Sequence, residues 1–271
     1  LELSAEGMRV LVEAAHAREM AAVVTVFSVG LMEEAETLGV DAYKSASPDI
    51  VHRPLVEAMG ATGKPLIVST GASTAEEVVR ARGWLDAVAA EDRLAMLQCV
   101  SSYPTRDEDA ALGGIDALVG MGLGCPIGYS DHTMRTETGL WAAVRGATML
   151  EKHLTHDRGA PGPDHAASLD VDQFREYIAA ARSGRSASAP PPMVGPIEKR
   201  VAPCEEDVRT LSRQSIVATR AIREGEALSS GMLTCKRPGT GIAPYRMAEV
   251  LGRVTIRSIA ADMPLTEEDL R

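Results

Sequence analysis

Residues 127–132 read Ile-Gly-Tyr-Ser-Asp-His, and residues 149–154 read Met-Leu-Glu-Lys-His-Leu. Each is a short apolar run with a histidine near its polar end, and a helix-like stretch separates the two, as in consecutive βα units. Four similar runs precede them, so the candidate strands are residues 23–28, 42–46, 65–70, 94–99, 127–130 and 149–154. The pattern therefore predicts an α/β fold with six parallel strands.

Six parallel strands form either an open doubly wound sheet or most of a (β/α)₈ TIM barrel. The chain contains no GxGxxG or GxxxxGK[ST] motif of a nucleotide-binding open sheet. Polar or titratable residues follow almost every candidate strand, and a barrel gathers such strand ends on its active-site face. We therefore expect a TIM barrel with about six βα units present. A whole barrel takes about 250 residues, so we also expect its two N-terminal units to be missing before Leu1.

The composition changes to Ser, Ala and Pro after Arg182, and this stretch includes Pro190-Pro191-Pro192. Such a stretch is typical of a semi-extended linker. We accordingly expect a barrel domain over residues 1–183, a linker over 184–213 and a second domain over 214–271. The second domain is short for independent folding, so we expect it to pack on another surface.

The charge and composition exclude several classes of function. With 28 basic and 38 acidic residues, the 271-residue chain carries a net charge of −10, which repels nucleic acid and anionic lipid. The apolar runs are too short to cross a bilayer, and the first residues given do not show the basic region followed by an apolar stretch that is typical of a signal peptide. The four cysteines lie far apart without a CxxC pair, so we expect reduced thiols in a cytoplasmic protein.

His132 and His153 are candidate metal ligands because both lie at the ends of neighbouring candidate strands. Adjacent strands lie about 4.8 Å apart, so the two imidazoles can reach one cation and leave its other positions open. Imidazole with oxygen donors suits manganese, cobalt, iron or zinc better than magnesium. The alternative is that both histidines are packed structural residues. Asp131 and Glu151 fit either support of these ligands or solvated charges.

Lys44 lies inside a strand-like run, where a charge is costly unless it faces a functional cavity. An anion is its natural partner, and serines follow the neighbouring strands at positions 47, 69, 101 and 130. Hydroxyl and ammonium groups at this rim predict a phosphate site, although each serine alone is more typical of a helix cap. The rigid loop over residues 161–165 places Asp164 at the mouth of the barrel, where it would bind a sugar hydroxyl or simply make a turn.

Six motifs along the chain have the order and spacing of one known family. They are Tyr43-Lys44-Ser45-Ala46-Ser47, Ile67-Val68-Ser69-Thr70-Gly71, Ser102-Tyr103-Pro104-Thr105, Ser130-Asp131-His132-Thr133, Glu151-Lys152-His153-Leu154-Thr155 and Pro161-Gly162-Pro163-Asp164-His165. With Lys236-Arg237-Pro238-Gly239-Thr240-Gly241, they resemble the sialic acid synthases and their C-terminal antifreeze-like domain. The resemblance covers nearly the whole chain except the variable linker.

The resemblance implies that phosphoenolpyruvate condenses with an N-acylated mannosamine-type sugar and water. The products are a nine-carbon 2-keto acid and phosphate, with N-acetylneuraminate expected first and legionaminate as the alternative. The resemblance also implies a divalent metal, manganese first with magnesium or cobalt as alternatives, that polarises the sugar aldehyde. It implies a domain-swapped homodimer in which Arg237 reaches the barrel of the partner subunit.

The same resemblance assigns a role to each candidate site residue. The phosphoenolpyruvate ligands are Lys44, Ser47, Ser69, Ser101 and Ser130. The sugar ligands are Tyr103, His153, Asp164 and Arg237, the metal ligands are His132 and His153, and the catalytic residues are His153, Asp49 and Lys44.

Two positions depart from the family pattern. Ser101 stands where the family commonly has Asn, and Pro48-Asp49 stands where it commonly has Gly-Glu, which shortens the carboxylate side chain by one methylene. A start at Leu1 would also remove ligands that the family carries on its first two strands, and would favour a non-catalytic sugar-binding relative. A third hypothesis is a different metal-dependent barrel aldolase, which would share the strand-end face but not the loop over residues 161–165.

Overall fold

The computed structural model describes residues 3–89, 91–184 and 195–271. Its larger sheet has six parallel strands in the order β1 to β6, so each βα unit places its strand beside the preceding one. The strands are β1 (Val23–Thr25), β2 (Ala42–Ser45), β3 (Leu66–Ser69), β4 (Leu94–Cys99), β5 (Ile127–Asp131) and β6 (Leu150–Lys152). The sheet curls into a half-barrel, which confirms the six predicted strands in their predicted order.

Helices precede and connect these strands and cover the outside of the sheet. They are α1 (Ala5–His16), α2 (Met32–Thr37), α3 (Arg53–Ala61), α4 (Ala75–Leu85), α5 (Gly113–Gly120), α6 (Thr138–Val144) and α7 (Val171–Gly184). Helix α4 begins with a reciprocal cap, in which Thr74 Oγ1 accepts from the Glu77 amide while Glu77 accepts from the Thr74 amide. Apolar side chains from strands and helices form one continuous core that includes Tyr43, Leu55 and Met96.

The second domain has its own small core, centred on Ile216, Val250 and Leu265. It contains the antiparallel strands β7 (Ser215–Ala218) and β8 (Leu233–Lys236) and the short helix α9 (Met247–Val250). Several isolated bridges between its loops complete a compact unit. Across the described parts of both domains, no helix combines the length and apolar character needed to span a membrane.

Within the predicted linker, Gly184 ends helix α7, and residues 195–213 contain a helical turn, Pro203–Glu205, followed by helix α8 (Glu206–Ser212). The Glu205 side chain is buried against the barrel. Composition alone did not predict α8, because a seven-residue helix has too few positions to show a period. Pro190-Pro191-Pro192 lie outside the described residues, and the boundaries at 183/184 and 213/214 stay predictions.

Candidate active site

A cavity of about 250 Å³ opens at the carboxyl ends of the six strands, where a barrel carries its active site. Predicted residues from five strand ends and one loop line it: Lys44, Ser47, Ser69, Tyr103, Ser130, His132, His153 and Asp164. Phe27, Cys99 and Glu151 also face this cavity. Three predicted residues do not line the cavity but lie close to residues that do: Asp49, Ser101 and Arg237. Ser101 lies beside Ser47 at Gly71, the charge of Lys44 acts on Asp49, and Arg237 lies near Phe27.

Serine hydroxyls converge on Gly71, the residue that follows β3 and Thr70. The Gly71 amide donates to Ser47 Oγ at 3.0 Å. A methyl group at Gly71 would lie 2.3 Å from Ser101 Oγ and 2.8 Å from Ser47 Oγ, so only glycine permits this approach. Ser69 Oγ and Ser101 Oγ are buried, and neither forms a hydrogen bond with any described residue. Buried donors without partners are costly, which marks them as groups for a ligand.

Lys44 extends from β2 into the same cavity. Its Nζ lies 3.4 Å from the Glu151 carboxylate, and only 15% of the Lys44 side chain is exposed. Glu151 Oε2 is buried and makes no hydrogen bond within the described residues. The Glu151 side chain is 35% exposed overall, and this loosely held pair offers an ammonium to an anion.

Asp49 is 1% exposed and belongs to the helical turn that follows β2. Burial raises the pKa of Asp49 to about 7, against the opposing effects of Arg237, Gln214 and Lys44. Gln214 Nε2 donates to Asp49 Oδ1 at 3.2 Å, while Oδ2 has no partner among the described residues. A carboxyl group with a pKa near neutrality can both accept and donate a proton at physiological pH.

Arg237 approaches this region from the second domain of the same chain. Its guanidinium carbon lies 5.9 Å from the centroid of the Phe27 ring. The resemblance implied that Arg237 reaches the partner subunit instead, whereas here it faces the barrel of its own chain. The domain-swapped homodimer stays a prediction.

His132 and His153 lie together, with their ring centroids 5.4 Å apart. His132 Nδ1 lies 2.7 Å from the Val100 carbonyl oxygen, which only accepts, so Nδ1 carries a proton and donates it. This leaves Nε2 as the nitrogen for a ligand, as in metal-binding imidazoles whose other nitrogen is anchored. Tyr103 packs beside both rings, with centroid distances of 4.2 Å to His132 and 5.9 Å to His153.

The two imidazoles differ in their electrostatic surroundings. Burial and the charge of His132 lower the pKa of His153, which favours the neutral form that binds metals. Burial opposes the charge on His132 as well, but Cys99 and the Val100 carbonyl raise its pKa to about 9. A cation that binds His132 must therefore replace a proton.

The donor set fits a divalent cation that takes two imidazoles and keeps open positions for water or substrate. Among the residues that the structure describes, no three His, Cys, Asp or Glu side chains form a metal-binding cluster. Asp164 and Glu151 line the same cavity but do not complete such a group. The metal ligands stay predictions.

Asp131 belongs to a separate network beside the cavity. Its carboxylate accepts from the Thr133 amide at 2.9 Å and from the Thr133 and Thr138 hydroxyls. Lys152 Nζ lies 3.0 Å from Asp131 Oδ2, and both side chains are almost fully buried. Asp131 is therefore not a solvated charge but one half of a buried ion pair.

Three features of the site were missed at the level of sequence: Gln214, Glu205 and the Arg209–Arg213–Glu77 cluster. Gln214 joins the Phe27 carbonyl, at 3.1 Å, to Asp49. Glu205 accepts hydrogen bonds from the Ala72 and Ser101 amides. The only local signal was Pro203 at the start of a helical turn followed by Glu205, a pattern that also occurs in ordinary helix starts.

Comparison with known families matches residues 1–189 to the NeuB family and residues 213–271 to the SAF domain. N,N'-diacetyllegionaminic acid synthase from Legionella pneumophila is 32% identical, over 100% of this chain and 75% of the relative. Pseudaminic acid synthase from Helicobacter pylori is also 32% identical, over 90% of this chain and 69% of the relative. These matches confirm the family resemblance and the antifreeze-like C-terminal domain.

Among solved structures, the spore coat polysaccharide biosynthesis protein SpsE from Bacillus subtilis has a TM-score of 0.92 and is 26% identical. That superposition covers 100% of this chain and 78% of the SpsE chain. The likeness thus includes both the six-stranded barrel region and the C-terminal domain.

Proposed function

The chain belongs to the NeuB family, and from this premise we propose that it condenses phosphoenolpyruvate with an N-acylated amino sugar. The acceptor is N-acetylmannosamine or a 2,4-diacetamido-6-deoxymannose, and the products are the corresponding nine-carbon 2-keto acid and phosphate. The observation that supports this most is that Lys44 and the hydroxyls of Ser47, Ser69 and Ser130 line one cavity, with Ser101 close to Ser47 at Gly71. Ser69 Oγ and Ser101 Oγ are buried and have no partner among the described residues.

The phosphoenolpyruvate would bind on the Ser101 and Lys44 side of the site. Lys44 supplies a positive charge, and the hydroxyls of Ser47, Ser69, Ser101 and Ser130 supply donors to phosphate or carboxylate oxygens. Carbon C3 of phosphoenolpyruvate attacks the sugar aldehyde, and water attacks C2. The water gives up both its protons, one to the former aldehyde oxygen and one to the departing phosphate, as C2 becomes a carbonyl and the C2–O bond to phosphate breaks. Asp49, with its pKa near 7, is proposed to take a proton from that water.

The sugar would bind on the histidine side, between Tyr103, His153 and Asp164, which line the same cavity. His132 and His153 would hold a divalent cation, manganese first, and such a cation polarises a carbonyl oxygen. Tyr103 packs against both rings and restricts their orientation. Asp164 offers a carboxylate to a sugar hydroxyl, and Arg237 faces the Phe27 wall of the same cavity.

Phosphate release with each sugar and with Mn²⁺, Mg²⁺ or Co²⁺ tests the proposal. With phosphoenolpyruvate labelled by ¹⁸O at the C2–O bridge, we expect sugar-dependent release of labelled phosphate. His132→Ala should lower that rate at least about a thousandfold, since it removes a cation ligand. His156→Ala is the matched control, because His156 is exposed on a neighbouring loop. No sugar-dependent release by the wild type, or full activity of His132→Ala, would contradict the proposal.

A further inference from the structure

Ala72 has a left-handed backbone, with φ at +50°, and it is fully buried. For a residue other than glycine, this conformation is strained and persists only where its surroundings hold it. The Ala72 amide donates to Glu205 Oε1 at 2.6 Å, and the Ala72 carbonyl accepts from Arg213 Nη2 at 3.0 Å and from Arg209. Both polar groups of this one peptide residue are therefore held by the segment that joins the two domains.

Glu205 uses both carboxylate oxygens on backbone amides. Oε1 accepts from Ala72 at 2.6 Å and from Ser101 at 2.7 Å, while Oε2 accepts from Ala202 at 2.8 Å. One oxygen thus joins the loop after β3 to the loop after β4. Lys199, also buried, interacts electrostatically with Glu205 and offsets its charge.

Arg209 and Arg213 are held in turn by Glu77, on the first turn of α4. Their guanidinium groups lie 2.7 to 2.9 Å from the Glu77 carboxylate oxygens. Burial opposes the charge of Glu77, but Arg213, Arg209 and the Thr74 amide lower its pKa to about 2. Glu77 therefore holds both arginines in position beside the Ala72 carbonyl, to which they donate.

We propose that Glu205 is a positioning residue for the anion site. It fixes Gly71-Ala72 and the Ser101 backbone, and these place the Ser101 hydroxyl, which has no partner among the described residues, beside Gly71 and Ser47 Oγ. Because Glu205 occupies the Ser101 amide, Ser101 meets a ligand through its hydroxyl. This inference rests on the proposed function, since the anion is taken to be phosphoenolpyruvate.

The test compares Glu205→Ala, Glu205→Gln and Glu206→Ala in the full chain. Glu206 is the matched control, because it is the adjacent acidic residue and is exposed. We expect Glu205→Ala to weaken phosphoenolpyruvate binding about tenfold or more in calorimetry, as for loss of hydrogen bonds to a charged group. Its KM for phosphoenolpyruvate should rise in proportion, while its KM for the sugar stays within about twofold. Glu205→Gln keeps an acceptor oxygen and should recover most of the affinity.

Hydrogen exchange provides a second measurement on the same variants. The Ala72 and Ser101 amides should exchange faster in Glu205→Ala, with unchanged exchange in the core of β4. A folded Glu205→Ala that binds phosphoenolpyruvate as the wild type does, or raises both KM values equally, would overturn the positioning role alone. If Glu205→Ala does not fold, unchanged phosphoenolpyruvate binding by Glu205→Asp, whose carboxylate is one methylene too short to keep its bonds to the Ala72 and Ser101 amides, would overturn it. A wild type that binds no phosphoenolpyruvate would overturn the proposed function and this inference together.

Discussion

Two groups of buried polar side chains lie at the carboxyl ends of the strands and differ in how fully they are paired. The paired cluster consists of Asp131, Thr133, Thr138 and Lys152, and the Asp131 carboxylate has a partner for each oxygen. The open cluster consists of Asp49, Ser69 and Ser101, and each of these has a buried oxygen without a hydrogen bond among the described residues.

The difference separates a structural role from a binding role for residues that look alike in the sequence. A fully paired buried network repays its desolvation cost inside the folded chain. An unpaired buried oxygen costs about 1–3 kcal/mol, so the open cluster lowers stability until a ligand supplies the missing partners. The open cluster should therefore contribute to ligand binding, whereas the paired cluster contributes to the stability of the fold.

The largest expected effect comes from breaking the paired cluster with Lys152→Met. This change leaves the Asp131 charge buried without its ammonium partner, and should lower the free energy of unfolding by about 3–5 kcal/mol. Urea denaturation measures the loss. Lys236→Met removes a lysine whose side chain is 53% exposed beside Asp262, and it should cost less than about 1 kcal/mol. Equal losses from the two variants would remove the distinction between the clusters.

Asp49→Asn, in the open cluster, should raise the free energy of unfolding rather than lower it. The pKa of Asp49 is raised to about 7, so the folded protein binds this proton more tightly than the unfolded chain between about pH 4 and pH 7. As the pH rises from about 4 to about 7, the wild type should therefore lose stability relative to Asp49→Asn, by about 2–4 kcal/mol in total. Urea denaturation at pH 5 and pH 8 measures the difference. A stability gap that does not change with pH would show that Asp49 is already charged at pH 5.

Ser101→Ala should have the smallest effect on stability of the three substitutions, and it tests most directly whether a residue of the open cluster binds ligand. It removes a buried hydroxyl that has no partner in the described residues, so the free energy of unfolding should rise by about 1 kcal/mol rather than fall. The KM for phosphoenolpyruvate should rise about tenfold, as for the loss of one hydrogen bond to an anion. Ser102→Ala serves as the neighbouring control. A clear loss of stability with an unchanged KM would place Ser101 among the structural residues.

The strands and most cavity residues could be predicted because their signals are local. Short apolar runs with polar ends mark β2 and β5, and the parallel sheet brings their ends together. Pairing, however, depends on contacts between distant parts of the chain. From the sequence, Asp131 could either support the histidine ligands or be a solvated charge. Only the position of Lys152 on the neighbouring strand, where it pairs with Asp131, decides between these alternatives.

The contacts made by the segment between the domains could not be predicted from the sequence, for the same reason. Glu205 lies 104 positions from Ser101, and Gln214 lies 165 positions from Asp49. The composition around Pro190 predicted a linker, and nothing in it indicated a buried carboxylate farther along. The family pattern placed Arg237 near a barrel, but it could not show that the barrel of the same chain is within its reach.

The bonds of Glu205 also bear on how this chain can be dissected or recombined. The family matches end at residue 189 and resume at residue 213, which invites a cut between them. A barrel expressed alone to residue 189 would lose the acceptor of the Ala72 and Ser101 amides and both arginines on Ala72. In a chimera that exchanges C-terminal domains, residues 199–213 should therefore travel with the barrel rather than with the domain that follows.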